Sequence, residues 1–161
     1  MNDRRAALAT EILDRCRMQG LRLATAESCT GGLIAAALTD IAGSSDVFDR
    51  GFVTYADDAK IQILGVSEAL IARHGAVSEP VARAMAEGAL GAAGADVTIA
   101  VTGIAGPGGG TAAKPVGLVH FAAARAGGAT LHERRELDGD RTAVRTAAVE
   151  AALTLLLSAI G

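Results

Sequence analysis

Apolar positions recur every three or four residues in some stretches of the chain and every second residue in others, and the exchange between these two periods lays out the fold. Residues 3–19 carry an apolar stripe at Ala7, Leu8, Ile12, Leu13 and Cys16, and Gly20 ends it, the signature of a helix with one buried face. The short apolar run 21–25 predicts a strand, and residues 30–38 a second helix capped by Thr30. Ile41-Ala-Gly-Ser-Ser45 reads as a loop that exposes backbone and hydroxyls. Over residues 47–55, Phe48, Arg50, Phe52 and Thr54 alternate against Val47, Asp49, Gly51 and Val53, which is strand spacing. Asp57 and Asp58 then start a helix that Gly65 stops, Ser67 caps a brief one ending near His74, and Ser78 with Pro80 opens a long one through Ala93. Residues 96–101 are almost wholly apolar, the pattern of a strand covered on both faces. Strands at 116–124 and 129–137 pair as a hairpin across Ala126-Gly-Gly128, and Asp140 caps a last helix over 141–159. Helices alternating with strands and closing on a hairpin predict an α/β layered domain, a mixed β-sheet with helices packed on its faces.

Composition narrows this picture. At 161 residues the chain is long enough for one domain, 1–161, with a real core and no disulfides; 50% hydrophobic content excludes disorder, and 2% aromatics mean a core of Ala, Val, Leu and Ile. A net charge of -3, no basic run, one Tyr, three Phe and no Trp leave neither the electrostatic footprint nor the stacking platform of a nucleic-acid binder. The N-terminal stretch, with Glu11, Asp14, Arg15 and Arg17, is not a signal peptide, and the apolar tail 147–160, interrupted by Glu150, is too short to span a bilayer. A soluble, cytoplasmic protein with no membrane partner is expected. Cys16 and Cys29 have no CxxC spacing, and His74, His120 and His132 stand far apart along the chain, so no disulfide, metal or other cofactor is indicated.

Three stretches carry candidate chemistry. In Thr25-Ala-Glu-Ser-Cys-Thr-Gly-Gly32, Ser28 precedes a predicted helix start where Gly31 and Gly32 bare the backbone N–H groups, a place suited to an anion or a developing oxyanion. Ser28 is thus a candidate nucleophile, while on this stretch alone Ser28 and Thr30 read equally as turn and cap residues. Cys29 beside it reads as a small buried hydrophobe rather than a thiol nucleophile, and Glu27 as a supporting residue. A serine needs a base. Lys60, one turn into a helix that follows a strand ending near Tyr55, is the candidate, with Tyr55 relaying a proton or fixing the lysine; the plain alternative is a solvated lysine and a half-buried tyrosine. Thr102-Gly-Ile-Ala-Gly-Pro-Gly-Gly-Gly110 follows the buried strand and holds five glycines in nine residues, so backbone at Gly103 and Gly106, with the Thr102 hydroxyl, can approach a ligand closely. It is neither a Walker loop nor a dinucleotide fingerprint. Arg141, and with less reason Arg145, could hold a phosphate from the start of the last helix.

These stretches, together with Gly51-Phe-Val-Thr-Tyr55, Gly75-Ala-Val-Ser-Glu-Pro80, Lys114-Pro-Val-Gly117 and Gly139-Asp-Arg141, run in an order that resembles the C-terminal domain of the CinA (competence/damage-inducible) family in its stand-alone form. The resemblance implies a nicotinamide-nucleotide amidohydrolase that converts nicotinamide mononucleotide to nicotinate mononucleotide and ammonia without a metal. It implies a serine nucleophile assisted by a lysine and a tyrosine, at Ser28, Lys60 and Tyr55, with Thr30, Thr102 and Arg141 contacting the nucleotide or shaping its site. A homodimer is a further expectation from the family, as is the absence of any pyrophosphatase activity belonging to the N-terminal domain of longer members. The chain departs from the pattern at Asp57, where Asn is common, and at Leu118, where Thr is common. Two other readings stay open: a non-catalytic nucleotide-binding regulatory module, and an amidase of another phosphorylated pyridine or pyrimidine compound.

Overall fold

In the computed structural model, which describes residues 2–161, five strands form one mixed sheet. β1 (Leu23–Glu27) and β3 (Val97–Gly103) run parallel at its centre, and β2 (Phe48–Val53) joins the other edge of β1 in parallel. β4 (Leu118–Arg125) and β5 (Leu131–Glu136) continue antiparallel beyond β3, giving the order β2-β1-β3-β4-β5. All of β1 is buried, and all of β3 except Gly103. Strands covered on both faces need no polar side, which is why these runs lack alternation and the edge strands do not.

Six helices cover the sheet. α1 (Asp3–Gln19), α2 (Leu33–Thr39) and α6 (Arg141–Ile160) pack on one face against Val97, Ile99, Val101, Val119 and Phe121. On the other face α5 (Glu79–Ala93), flanked by α3 (Asp57–Leu64) and α4 (Glu68–His74), packs Val81, Met85 and Ala89 against Ala26, Ala100 and Ala122. Alanine on the sheet lets α5 approach closely, so an aromatic-poor composition still yields a dry interior. α6 is 20 residues long and, by length and composition, could cross a bilayer. Half of it is buried inside the molecule, and Val149, Ala152, Leu153 and Leu156 are wholly inaccessible in the core, so its apolar character is that of a core helix.

The element types match the sequence reading, with informative shifts at their ends. β1 starts and ends two residues later than its apolar run, so Thr25 and Glu27 are strand residues at full burial. α2 starts at Leu33 instead of at Thr30, because Gly31 and Gly32 take φ of 57° and 103° and turn the chain before the helix begins. The expected caps at Ser67, Ser78 and Asp140 accept hydrogen bonds from the N–H groups of Leu70, Val81 and Ala143. His120 and His132, distant in sequence, meet across the β4–β5 hairpin: Nδ1 of His120 lies 2.9 Å from Nε2 of His132, with the rings stacked.

From β1 the chain runs through α2 to β2 on one side, then returns through α3, α4 and α5 to β3 on the other. The carboxyl ends of β1 and β3 are therefore neighbours whose outgoing connections diverge, that of β1 through α2 to β2 on one side and that of β3 through the glycine loop to β4 on the other. That divergence opens the crevice in which α/β sheets bind ligands.

Candidate active site

Ser28 stands at the carboxyl end of β1, held by a 3.0 Å hydrogen bond from its N–H to the Val101 carbonyl of β3. The turn behind it is fastened from two sides. The Glu27 carboxylate, fully buried, accepts from the Thr30 hydroxyl at 2.7 Å and from the N–H groups of Ile34 and Ala35 at 2.9 and 3.0 Å. From α6, Arg145 donates through Nε to the Cys29 carbonyl at 3.1 Å and through Nη2 to the Thr30 carbonyl at 3.3 Å. The positive end of α2 is thus occupied by the protein's own carboxylate. Thr30 serves Glu27 and does not cap the helix, while the amides that face Glu27 are those of Ile34 and Ala35, and of the earlier amides the Gly31 N–H donates to the Ser28 carbonyl at 2.9 Å. The N–H groups of Cys29, Thr30 and Gly32 have no main-chain acceptor among the described residues. Gly103 completes the turn's seat: a Cβ there would lie 2.7 Å from Val119 Cγ2 and 3.1 Å from Cys29 Sγ, so only glycine lets β3 and the Ser28 turn come together.

Lys60 enters from α3. It is 1% exposed, and its Nζ lies 3.2 Å from Ser28 Oγ, 2.8 Å from the Thr54 carbonyl and 3.2 Å from the Tyr55 carbonyl. Among the described residues no carboxylate forms an ion pair with it. Burial pulls its pKa below the ordinary lysine value, with the Asp57 charge acting in the opposite sense. A neutral amine has two N–H donors and one lone pair. With the two carbonyls accepting those donors, the neutral form would turn its lone pair to the Ser28 hydroxyl, which also lies 3.5 Å from the Tyr55 carbonyl, whereas the charged form donates to Ser28 Oγ. Cys29, next to the nucleophile, is 4% exposed, and burial pushes its thiol up to about 12, so it stays protonated and inert.

Ser28 and Lys60 line a cavity of about 280 Å³ together with Tyr55, Asp57, Thr102, Gly103, Gly106 and Arg141. The Thr102 hydroxyl, at the end of β3, donates to the Ala76 carbonyl at 2.9 Å and so ties the sheet to the α4–α5 connection. Tyr55 touches the lysine only through its main-chain carbonyl; its phenol, more than half exposed, accepts from Arg141 Nη2 at 2.9 Å. Arg141 also donates to the Gly106 carbonyl at 2.8 Å, joining the glycine loop to the start of α6. Of the residues singled out in the sequence, Ser28, Lys60, Tyr55, Thr102, Gly103, Gly106 and Arg141 converge on the cavity, whereas Thr30, Gly31 and Gly32 lie behind the Ser28 turn. Arg145 holds that turn and does not line the cavity. Asp57, one helical turn before Lys60, does line it, although the sequence marks it only as a helix start and a departure from a pattern.

The family profile described as the CinA C-terminal domain matches residues 5–160. The chain belongs to the CinA C-terminal domain family. This CinA domain is 52% identical over 149 residues to a protein of Escherichia coli K12 named nicotinamide-nucleotide amidohydrolase PncC, a match covering 92% of this chain and 90% of that protein. It is 54% identical over 154 residues to a CinA-like protein of Akkermansia muciniphila, where the match covers 96% of this chain and 37% of the relative. The chain therefore spans about a third of the length of that longer relative. Among solved structures, the competence/damage inducible protein CihA of Agrobacterium tumefaciens superposes with a TM-score of 0.95 at 52% identity, covering 98% of this chain and 96% of its own.

Proposed function

We propose that this CinA domain is an amidohydrolase that deamidates nicotinamide mononucleotide to nicotinate mononucleotide and ammonia, with Ser28 as nucleophile and Lys60 as its base. One observation carries the reading: a buried amine without a carboxylate partner stands 3.2 Å from a serine hydroxyl at the floor of a cavity. The similarity to PncC of E. coli, which extends over nearly the whole of both chains, supports the choice of substrate.

Lys60, neutral, accepts the Ser28 proton as Oγ bonds to the carboxamide carbon, and the carbonyl oxygen takes up the negative charge of the tetrahedral adduct. The N–H of Cys29, next to the nucleophile in the chain and without a main-chain acceptor, serves that oxygen. The proton on Lys60 passes to the leaving nitrogen, the C–N bond breaks, and ammonia departs, leaving an ester on Ser28. Water then gives a proton to Lys60 and attacks the ester, and the acid is released as Ser28 recovers its proton. Tyr55 contributes its main-chain carbonyl to aim the amine and its phenol to steady Arg141. Arg141, Thr102 and the backbone at Gly103 and Gly106 hold the ribose phosphate, so that binding remote from the amide orients it.

The test is ammonia release from nicotinamide mononucleotide beside free nicotinamide, with binding followed by calorimetry on the same protein. Turnover of the nucleotide and neglect of free nicotinamide is expected. Nucleotide binding without ammonia release would instead make the domain a regulatory binding module.

A further inference from the structure

We propose that Asp57 is a specificity-determining residue of this cavity, selecting a ring that carries a positive charge over an uncharged ring of the same shape. The inference rests on the proposed deamidation, in which the ring bearing the carboxamide is a pyridinium. Its nitrogen, bonded to the ribose, is a permanent cation placed meta to the carboxamide. Holding the carboxamide carbon at Ser28 therefore brings a positive charge within a ring's width of the nucleophile.

The cavity's charges are arranged for such a ligand. Its lining carries three groups that can be charged in the physiological range, Asp57, Lys60 and Arg141. Lys60 is buried and spends its donors on the Thr54 and Tyr55 carbonyls, and Arg141 is engaged with the Tyr55 phenol and the Gly106 carbonyl. Asp57 alone supplies negative charge, and among the described residues its carboxylate has no ion pair. It stands on the first turn of α3, three residues before Lys60, so it flanks the reacting end of the cavity. One carboxylate and one guanidinium lining the same cavity form the complement of a molecule with a cationic ring and an anionic phosphate.

Asp58 provides an internal control. It shares the first turn of α3 and is exposed like Asp57, but it does not line the cavity. Neutralising either residue changes the net charge and the helix start alike, and only Asp57 changes the field at the ring.

Calorimetry on the Ser28→Ala protein measures the effect without turnover, with nicotinamide mononucleotide and its reduced form, whose dihydropyridine ring is uncharged, as the two ligands. A unit charge about 4 Å away in water-like surroundings is worth on the order of a fivefold change in Kd. Asp57→Asn is expected to raise the Kd of the cationic nucleotide by about that factor, leave the reduced one unchanged, and be rescued by Asp57→Glu, while Asp58→Asn alters neither. Equal losses for both ligands, equal effects of Asp57→Asn and Asp58→Asn, or no effect of Asp57→Asn would each overturn the proposal. Charge selectivity without ammonia release by the wild-type protein would sink the deamidation and leave this inference standing. Ammonia release without charge selectivity would do the reverse.

Discussion

Replacing Glu27 with glutamine removes one charge and exchanges one oxygen for an NH2 group, with almost no change of volume, at a wholly inaccessible site. One carboxylate oxygen accepts from the Thr30 hydroxyl and the Ile34 N–H, and the other from the Ala35 N–H. Glutamine can keep the first pair, but its NH2 then meets the Ala35 N–H donor to donor. A hydrogen bond to a charged group contributes about 1.5–3 kcal/mol, and a buried donor left unmatched costs about 1–3 kcal/mol. The charge also offsets the positive end of α2. Together these give a loss of about 3–5 kcal/mol, a large part of the roughly 5–15 kcal/mol that holds a domain folded. With a urea dependence near 2 kcal/mol per molar, the unfolding midpoint should fall by roughly 2 M. Thr30→Val, which removes only the hydroxyl, should cost about 1 kcal/mol. Urea titrations followed by circular dichroism measure both. A Glu27→Gln midpoint within about 0.5 M of wild type would refute the view that this carboxylate anchors the turn bearing Ser28.

Lys60 makes predictions in both activity and stability. Lys60→Met should lower kcat by about 10²–10⁴-fold, and in the wild type kcat/KM should rise with pH to a plateau set by a lysine titrating below 10.5. Because the folded protein holds that proton less tightly than the unfolded chain, stability should rise with pH between the lowered value and 10.5, and Lys60→Met should flatten the rise. His120 is buried and held down to about 4 from 6.5 by desolvation, with His132 adding to the effect. The unfolded chain thus binds the proton first, and stability should climb by up to about 3 kcal/mol as pH rises from about 4 to 6.5, a climb that His120→Gln reduces in urea titrations at stepped pH. Arg145→Ala frees two carbonyls of the Ser28 turn and should lower kcat more than it raises KM in steady-state assays, with Arg145→Lys recovering part of the loss.

Much of the fold was legible because the chain marks its own punctuation. Ser67, Ser78 and Asp140 are caps, and Gly20 and Gly65 end α1 and α3, where the sequence placed them. The pairing of Ser28 with Lys60 could be anticipated because each lies at the end of a strand or the start of the helix after it, and in an α/β sheet such positions gather at one edge. Two features could not be read that way. Glu27 is polar, so the apolar pattern closed the strand at Thr25, before it; both residues are fully buried because β1 is central, which depends on strand order and not on local sequence. That misplacement hid how the Glu27 carboxylate, read only as a supporting residue, holds the N–H groups of Ile34 and Ala35 at the start of α2. The His120 and His132 contact was readable in principle. A hairpin centred on Gly127 sets Ala122 opposite His132 and His120 opposite Arg134, making the two histidines diagonal neighbours on one face. The Tyr55 phenol was assigned to the lysine by proximity in sequence, but the side chain points to Arg141, a partner 86 positions away.

The measurement that bears most directly on the account is ammonia release from nicotinamide mononucleotide by wild type and by Ser28→Ala at equal concentrations of folded protein. Loss of the nucleophile should reduce kcat by at least about a thousandfold while the nucleotide still binds, because its ribose phosphate is held elsewhere in the cavity. A Ser28→Ala enzyme working within tenfold of wild type would mean that the hydroxyl beside the buried lysine does not attack the amide.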